Sequence, residues 1–232
     1  MQKLIDIHTH ILPGVDDGAR DMTVALEMLK LEEEQGTETV ILTPHYVTGR
    51  RYTQEQLEER FAELQDKAKE AGIGTGMTLW NECLYSRSLA DALDKGEART
   101  LKGSIALLEF YPTESGEKII NGCRSLYNSG YRIVLAHIER YEAFDERLAY
   151  TLKEMDVEFQ MNANYAKKAC TSLPFGRKHW FKQLLKSGEV SYIASDAHDT
   201  EKRDPAMYAD AIKTHIPEHA DAMLFNNALK LL

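Results

Sequence analysis

The residues able to bind a cation or move a proton are not scattered along this 232-residue chain; they recur after short apolar runs. IDIHTHILPGVDDGARD, residues 5–21, puts His8 and His10 at the end of the first run and Asp17 in the loop beyond. His45 follows the second run in TPHY, Glu82 follows the third in WNE, and Glu109 closes the fourth in LLEF. His137 closes a fifth in VLAH, and Asp196 and His198 follow the last in ASDAH. Side chains two apart on a strand share a face, so His8 and His10 can grip one ion together, and Asp196 and His198 more loosely. Imidazole suits zinc, iron or manganese, whereas carboxylates admit manganese and magnesium and can bridge two ions. Five histidines and four acids, with no usable thiolate, are too many for one four-coordinate ion and fit two or three.

Each piece has a plainer reading on its own. An isolated HTH is more often a surface pair, and a strand-end glutamate usually caps a turn. Asp6 shares the facing of His8 and His10 but lies deeper, so support or solubility is expected of it rather than ligation. His179, His215 and His219 fall in helical patterns and are read as surface or core residues.

The elements that must bring these residues together are legible as β-rich runs alternating with helical ones. Strands are expected at 4–7, 39–43, 77–80, 105–110, 132–136, 157–161 and 190–194. Asp21 can cap a helix that Gly36 stops, with Ala25, Leu26 and Leu29 on one face. Thr53 and Gln56 form a capping box ahead of Leu57, Phe61, Leu64 and Ala68. Further helices are expected at 116–129, 141–153 and 174–187, a short one between 88 and 103, and a last helical region from Pro205. Seven β-then-α units imply a parallel sheet, closed as a barrel or open and doubly wound. Strand ends in a barrel converge on one rim, while an open sheet gathers only neighbours near its switch point. Candidate ligands spread over strands one to seven therefore favour closure: a distorted, TIM-like (β/α)7 barrel in one domain over residues 1–232.

Composition narrows the partners. Acidic residues outnumber basic ones, 37 to 28, for a formal charge of -9. That sign repels phosphate backbones and anionic lipid, so neither nucleic acid nor a membrane is expected as partner. An anionic substrate would need local positive charge from arginines or metal. Three cysteines with no CxxC pair argue against a disulfide framework and for a reducing, cytoplasmic setting. The amino-terminal run is broken by Asp6 and the histidines, unlike a signal peptide, and no stretch approaches the roughly 20 apolar residues of a membrane span.

The set DIHTHILPGVDDG, LTPHY, NE, LLEF, LAHIERY and SDAH resembles the polymerase-and-histidinol-phosphatase (PHP) superfamily of metal-dependent phosphoesterases. HILPGVDDGARD and AHIERY bring it closer to the bacterial PHP-type protein-tyrosine phosphatases of the CpsB/YwqE kind. The resemblance implies the PHP barrel with a trinuclear site. His8, His10, Glu82 and Asp196 would hold one metal. Glu82 would bridge to a second that Glu109 and His137 complete, and Asp17, His45 and His198 would hold a third. Arg140 and Arg203 match the branch's phosphate-binding arginines. The ions implied are two to three divalent metals, manganese foremost, with iron, zinc or magnesium as alternatives. The implied substrate is a phosphotyrosine protein, a bacterial tyrosine kinase controlling capsule or exopolysaccharide synthesis. Close divalent ions held by these residues would supply an acidified water as the nucleophile toward phosphorus. Any proton for the leaving group would come from water, His45 or His198.

Rival readings can be set beside this one. A PHP enzyme acting on histidinol phosphate or another small phosphomonoester would keep the same ligands and differ in its rim loops. An inactive metal-binding regulator would need a reason for silence that this ligand set does not offer. A cysteine-based tyrosine phosphatase needs an arginine after five intervening residues, but Cys170 and Arg177 are separated by six, TSLPFG. Cys170 is therefore read as structural, and Cys83, beside Glu82, as packing. Arg50 and Arg51 could meet an acidic phosphopeptide or simply solvent.

Overall fold

A computed structural model describes residues 3–49, 52–201 and 208–232. Arg50, Arg51, Arg203 and Pro205 lie outside the described residues, so the second expected phosphate arginine and the start of the last helical region are not placed. The first half runs β1 (Leu4–Thr9), α1 (Met22–Gln35), β2 (Thr37–Leu42), β3 (His45–Tyr46), α2 (Gln54–Glu70), β4 (Gly76–Leu79), β5 (Glu82–Leu84), α3 (Leu89–Asp94), β6 (Ile105–Glu109) and α4 (Gly116–Asn128). It continues with β7 (Arg132–Leu135), α5 (Glu146–Lys153), β8 (Glu158–Asn162), α6 (Ala163–Cys170), α7 (Gly176–Lys186) and β9 (Tyr192–Ala194). The chain closes with α8 (Ala209–His215), α9 (Pro217–Asp221), a π-helical turn at Ala222–Asn226 and α10 (Asn227–Leu229).

Every strand pairing is parallel, in the orders β1-β2-β4 and β3-β5-β6-β7-β8-β9. The two ladders arise because β2 and β4, which match the second and third expected strands, are each followed after a break by a short strand, β3 and β5, beyond the expected ends. Pro44, which has no N–H to donate, separates β2 from β3. Backbone bonds carry the sheet across the breaks: Thr43 N donates to Thr9 O at 2.8 Å and Trp80 N to Leu42 O at 2.8 Å. Beyond the end of β9, Asp196 N donates to His8 O at 2.9 Å and His10 N to Ala197 O at 2.8 Å. These bonds bring β1 alongside the last strand and close the ring. One apolar cluster joins Ile5 and Ile7 of β1 with Ile41, Leu107, Val134 and Ala194, which only a sheet curled on itself can do. The expected distorted barrel is thus observed.

Local chemistry explains most of the frame. The Asp21 carboxylate accepts from Val24 N at 3.0 Å, and Gly36 ends α1 at φ 93°, a left-handed position that favours glycine. Thr53 and Gln56 form the expected reciprocal cap on α2. On α1 the buried stripe is Ala25, Met28 and Leu29, with Leu26 only half-buried. Two differences stand out. The expected helix from 141 begins only at Glu146, because Asp145 caps it by accepting from Leu148 N at 2.8 Å. Residues 138–140 form a separate 3-10 turn. Helix α6 has no counterpart in the sequence reading: it is eight residues long and buries mainly alanines, so its periodic signal is weak.

Asp6 and Glu32 meet in the interior beneath the rim. Asp6 accepts from His8 N at 3.1 Å and from Ser195 N at 3.0 Å, tying β1 to the end of β9. Burial, then the neighbouring Asp6 charge, raises the Glu32 carboxyl well above its ordinary 4.5. A carboxyl whose folded pKa is raised loses stability as pH climbs above the unfolded value. Glu32→Gln, uncharged at every pH, is therefore expected to melt higher than the parent at pH 8. The advantage should vanish on acidification to pH 4.5; a thermal scan at both pH values checks this.

Candidate metal centre

All nine expected ligands converge on the rim where the strands end. Glu82 lies at the middle: its Oε1 is 2.7 Å from His137 Nε2. Its Oε2 is 3.3 Å from His8 Nε2, 3.2 Å from His10 Nε2 and 2.9 Å from His45 Nδ1. Asp196 Oδ1 is 3.5 Å from the Nε2 atoms of both His8 and His10. Glu109 reaches His45 Nδ1 at 3.3 Å and His137 Nε2 at 3.6 Å. Asp17, more exposed, brings Oδ1 to 3.2 Å from His45 Nε2 and 3.4 Å from His198 Nε2.

Three overlapping groups have donor atoms close enough to share an ion: His8, His10 and Glu82; His45, Glu82 and Glu109; and His10, Asp17, His45 and His198. His10 and His45 thus stand between groups, which makes the cluster more continuous than three separate ligand sets. The His137 and Asp196 backbones adopt φ of 32° and 53°, in the left-handed region. Non-glycine residues are held there at a cost of about 1–3 kcal/mol, typically where side-chain aim matters more than backbone ease.

The chemistry of the donors tests whether a cation fits. His10 Nδ1 faces Asp16 Oδ2 at 2.8 Å, His8 Nδ1 faces Gln160 Oε1 at 3.1 Å, and His198 Nδ1 faces the Asp196 carbonyl at 2.9 Å. These partners only accept, so each Nδ1 carries a proton and each Nε2 is turned to the centre. His8 Nε2 and His10 Nε2 then stand 3.2 Å apart. Protons on both would repel, whereas lone pairs on both suit a shared ion. Glu82 Oε2 is buried among three imidazoles yet forms no aligned hydrogen bond among the described residues. That is the arrangement of a ligand, and a divalent cation fits.

Electrostatics agree. Burial opposes ionisation of Glu82, but the surrounding histidines outweigh it and hold the carboxyl well below its usual range. Asp196 is lowered in the same way, burial being overcome by His8, His10 and His137. Burial disfavours charge on His45 and His137 too, yet the facing carboxylates push them up, to about 12 and about 9. The acids demand positive charge at the centre, and protons supply it where metal does not.

Several residues that hold the candidate ligands were not legible as such. Asp16, assigned no ligand role, accepts from His45 N at 3.0 Å and from Gly18 N at 3.0 Å while holding the His10 ring. The GVDDG loop folds back so tightly that a side chain at Gly18 would overlap the His10 backbone. Gln160 and Asn162 on β8 bond to the cluster, though amides carry no metal-ligand signature in a sequence. Arg140 sits at the rim, partly exposed, with Nη1 3.2 Å from Asp196 Oδ2. His179, His215 and His219 lie on α7, α8 and α9, as expected away from this cluster.

The cysteines take no part. Burial, then the Glu82 and Glu109 charges, raises the Cys83 thiol far from thiolate chemistry. Cys170 is buried at the end of α6. Arg177, which a phosphate-cradling loop would aim inward, donates instead to the carbonyls of Phe144 at 3.1 Å and Tyr141 at 2.5 Å. Cys170→Ser should leave phosphatase turnover within about twofold of the parent; a large loss in a peptide assay would reinstate the thiolate reading.

Comparison with known proteins agrees with this geometry. The tyrosine-protein phosphatase CpsB of Streptococcus pneumoniae is 30% identical over 241 residues, covering 99% of this chain and 98% of that protein. Crystal structures of YwqE from Bacillus subtilis and CpsB from S. pneumoniae, described as metal-dependent tyrosine phosphatases, include a match with TM-score 0.81. That match has 25% identity and covers 95% of this chain and 94% of the other. A histidinol phosphate phosphatase from Lactococcus lactis shares the fold at TM-score 0.59 and 13% identity, covering 94% of each chain. The family model for capsular polysaccharide synthesis, CpsB/CapC, matches residues 4–232, and this chain belongs to that family.

Proposed function

We propose that this chain is a metal-dependent protein-tyrosine phosphatase, with residues 1–232 acting as one catalytic domain in the cytoplasm. The observation that carries the reading is Glu82, ringed by His8, His10, His45 and His137 on a rim that Arg140 also reaches. Two to three divalent ions, manganese foremost, would be held by His8, His10, Glu82 and Asp196, by Glu82, Glu109 and His137, and by Asp17, His45 and His198. Such ions supply acidified water and charge neutralisation at phosphorus, the chemistry that phosphomonoester hydrolysis needs.

The chain's own residues do the rest. Arg140 presents a planar fork of donors that matches phosphoryl oxygens, and its partial exposure leaves it free to turn from Asp196 toward substrate. Arg203 is proposed to bind the same phosphoryl group. The buried carboxylates keep the histidines aimed at the centre between turnovers. A tyrosyl phenolate is a relatively good leaving group, so the site needs little help from a general acid. The proposed partner is a phosphotyrosine-bearing bacterial tyrosine kinase of capsule or exopolysaccharide synthesis, consistent with the family.

Rates with manganese on a phosphotyrosine peptide, a phosphoserine peptide and histidinol phosphate test the substrate class. The phosphotyrosine peptide should have the highest kcat/KM. Preference for histidinol phosphate would move the reading to a small phosphomonoester.

A further inference from the structure

Strand β8 brings none of the nine ligand candidates to the rim, yet its last residues touch ligands from three other strands. Gln160 is fully buried, and its Oε1 accepts from His137 N at 2.7 Å. A backbone N–H can only donate, so this contact fixes which end of the amide is oxygen. The same oxygen lies 3.1 Å from His8 Nδ1, which must therefore carry its proton there and leave Nε2 for the centre. Gln160 Nε2 donates to Asn162 Oδ1 at 2.9 Å, and that orients the second amide in turn. Asn162 Nδ2 then donates to Asp196 Oδ2 at 2.7 Å, with Asp196 Oδ1 turned to His8 and His10. Each donor in the chain meets an acceptor.

We propose that Gln160 and Asn162 are positioning residues, an amide relay that sets the His8 tautomer and the aim of Asp196 for metal binding. Arg140 shares Asp196 Oδ2, so Asn162 also keeps that carboxylate in place when the guanidinium turns to the phosphoryl group. The inference rests on the metal reading above. Groups that hold the far nitrogen of a ligating histidine typically matter about 10–100-fold in metal affinity.

The test uses the zinc-loaded 232-residue chain, competition with a chromophoric chelator, and nitrogen-15 NMR of the histidine rings. The parent should bind zinc and show a protected Nδ1–H signal for His8. Gln160→Leu should bind about 10–100-fold more weakly and lose that signal. Asn162→Leu, at a half-buried position, should weaken zinc while keeping the His8 signal, since Gln160 still holds the ring. Parent-like affinity in Asn162→Leu, or an unchanged His8 signal in folded Gln160→Leu, overturns the relay while leaving the metal centre intact. A parent that takes up no zinc, manganese or iron overturns both.

Discussion

Glu82→Gln should lower kcat on a phosphotyrosine peptide by roughly 10³-fold or more while the chain stays folded. The expectation follows from position. One carboxylate puts its two oxygens against four imidazoles, and among the described residues no other side chain at the rim faces so many. Glutamine keeps the volume but replaces one anionic oxygen with an NH2, which cannot ligate and would point at an imidazole. Metal content, measured by elemental analysis, should fall with activity, and far-UV circular dichroism should match the parent. Parent-like turnover would remove Glu82 from the centre.

Arg140→Ala is the second large effect, and its signature differs. A single donor lost from a developing anion costs about 10²–10³-fold. Here the loss should appear in kcat/KM and in weaker inhibition by phosphate and orthovanadate, with metal content unchanged. Arg140 lies outside the ring of imidazoles and meets Asp196 through Oδ2, the oxygen that Asn162 also holds. Arg140→Lys should recover little, because an ammonium cannot offer the paired donors of a guanidinium. Loss of metal in Arg140→Ala would mean that the arginine acts on Asp196 rather than on substrate.

The candidate ligands were legible because histidine and carboxylate at successive strand ends is a chemical pattern that survives without coordinates. Alternation of β and α alone left an open sheet possible, and the spread of candidates from the first strand to the seventh pointed to one closed rim. The supports were not legible, for an identifiable reason. Asp16, Gln160 and Asn162 act by hydrogen bonds to ring nitrogens, backbone N–H groups and a carboxylate, across separations as large as 152 positions for Gln160 and His8, and a sequence records no such pairing. Asp16 was passed over because its neighbour Asp17 fits the ligand position. The loop shows a division of labour, with Asp16 turned back to hold His10 and Asp17 turned out toward His45 and His198. The short strands β3 and β5 also escaped prediction, since only the pairing of β3 with β5 and of β5 with β6 reveals them.

Chelation followed by metal replacement tests the central claim most directly. Protein stripped with EDTA and freed of chelator should hold no divalent ion and hydrolyse no phosphotyrosine peptide. Adding manganese back should restore turnover as the protein takes up two to three ions per chain. Full activity in the stripped protein, abolished by a thiol alkylator, would contradict the account and return the chemistry to a cysteine.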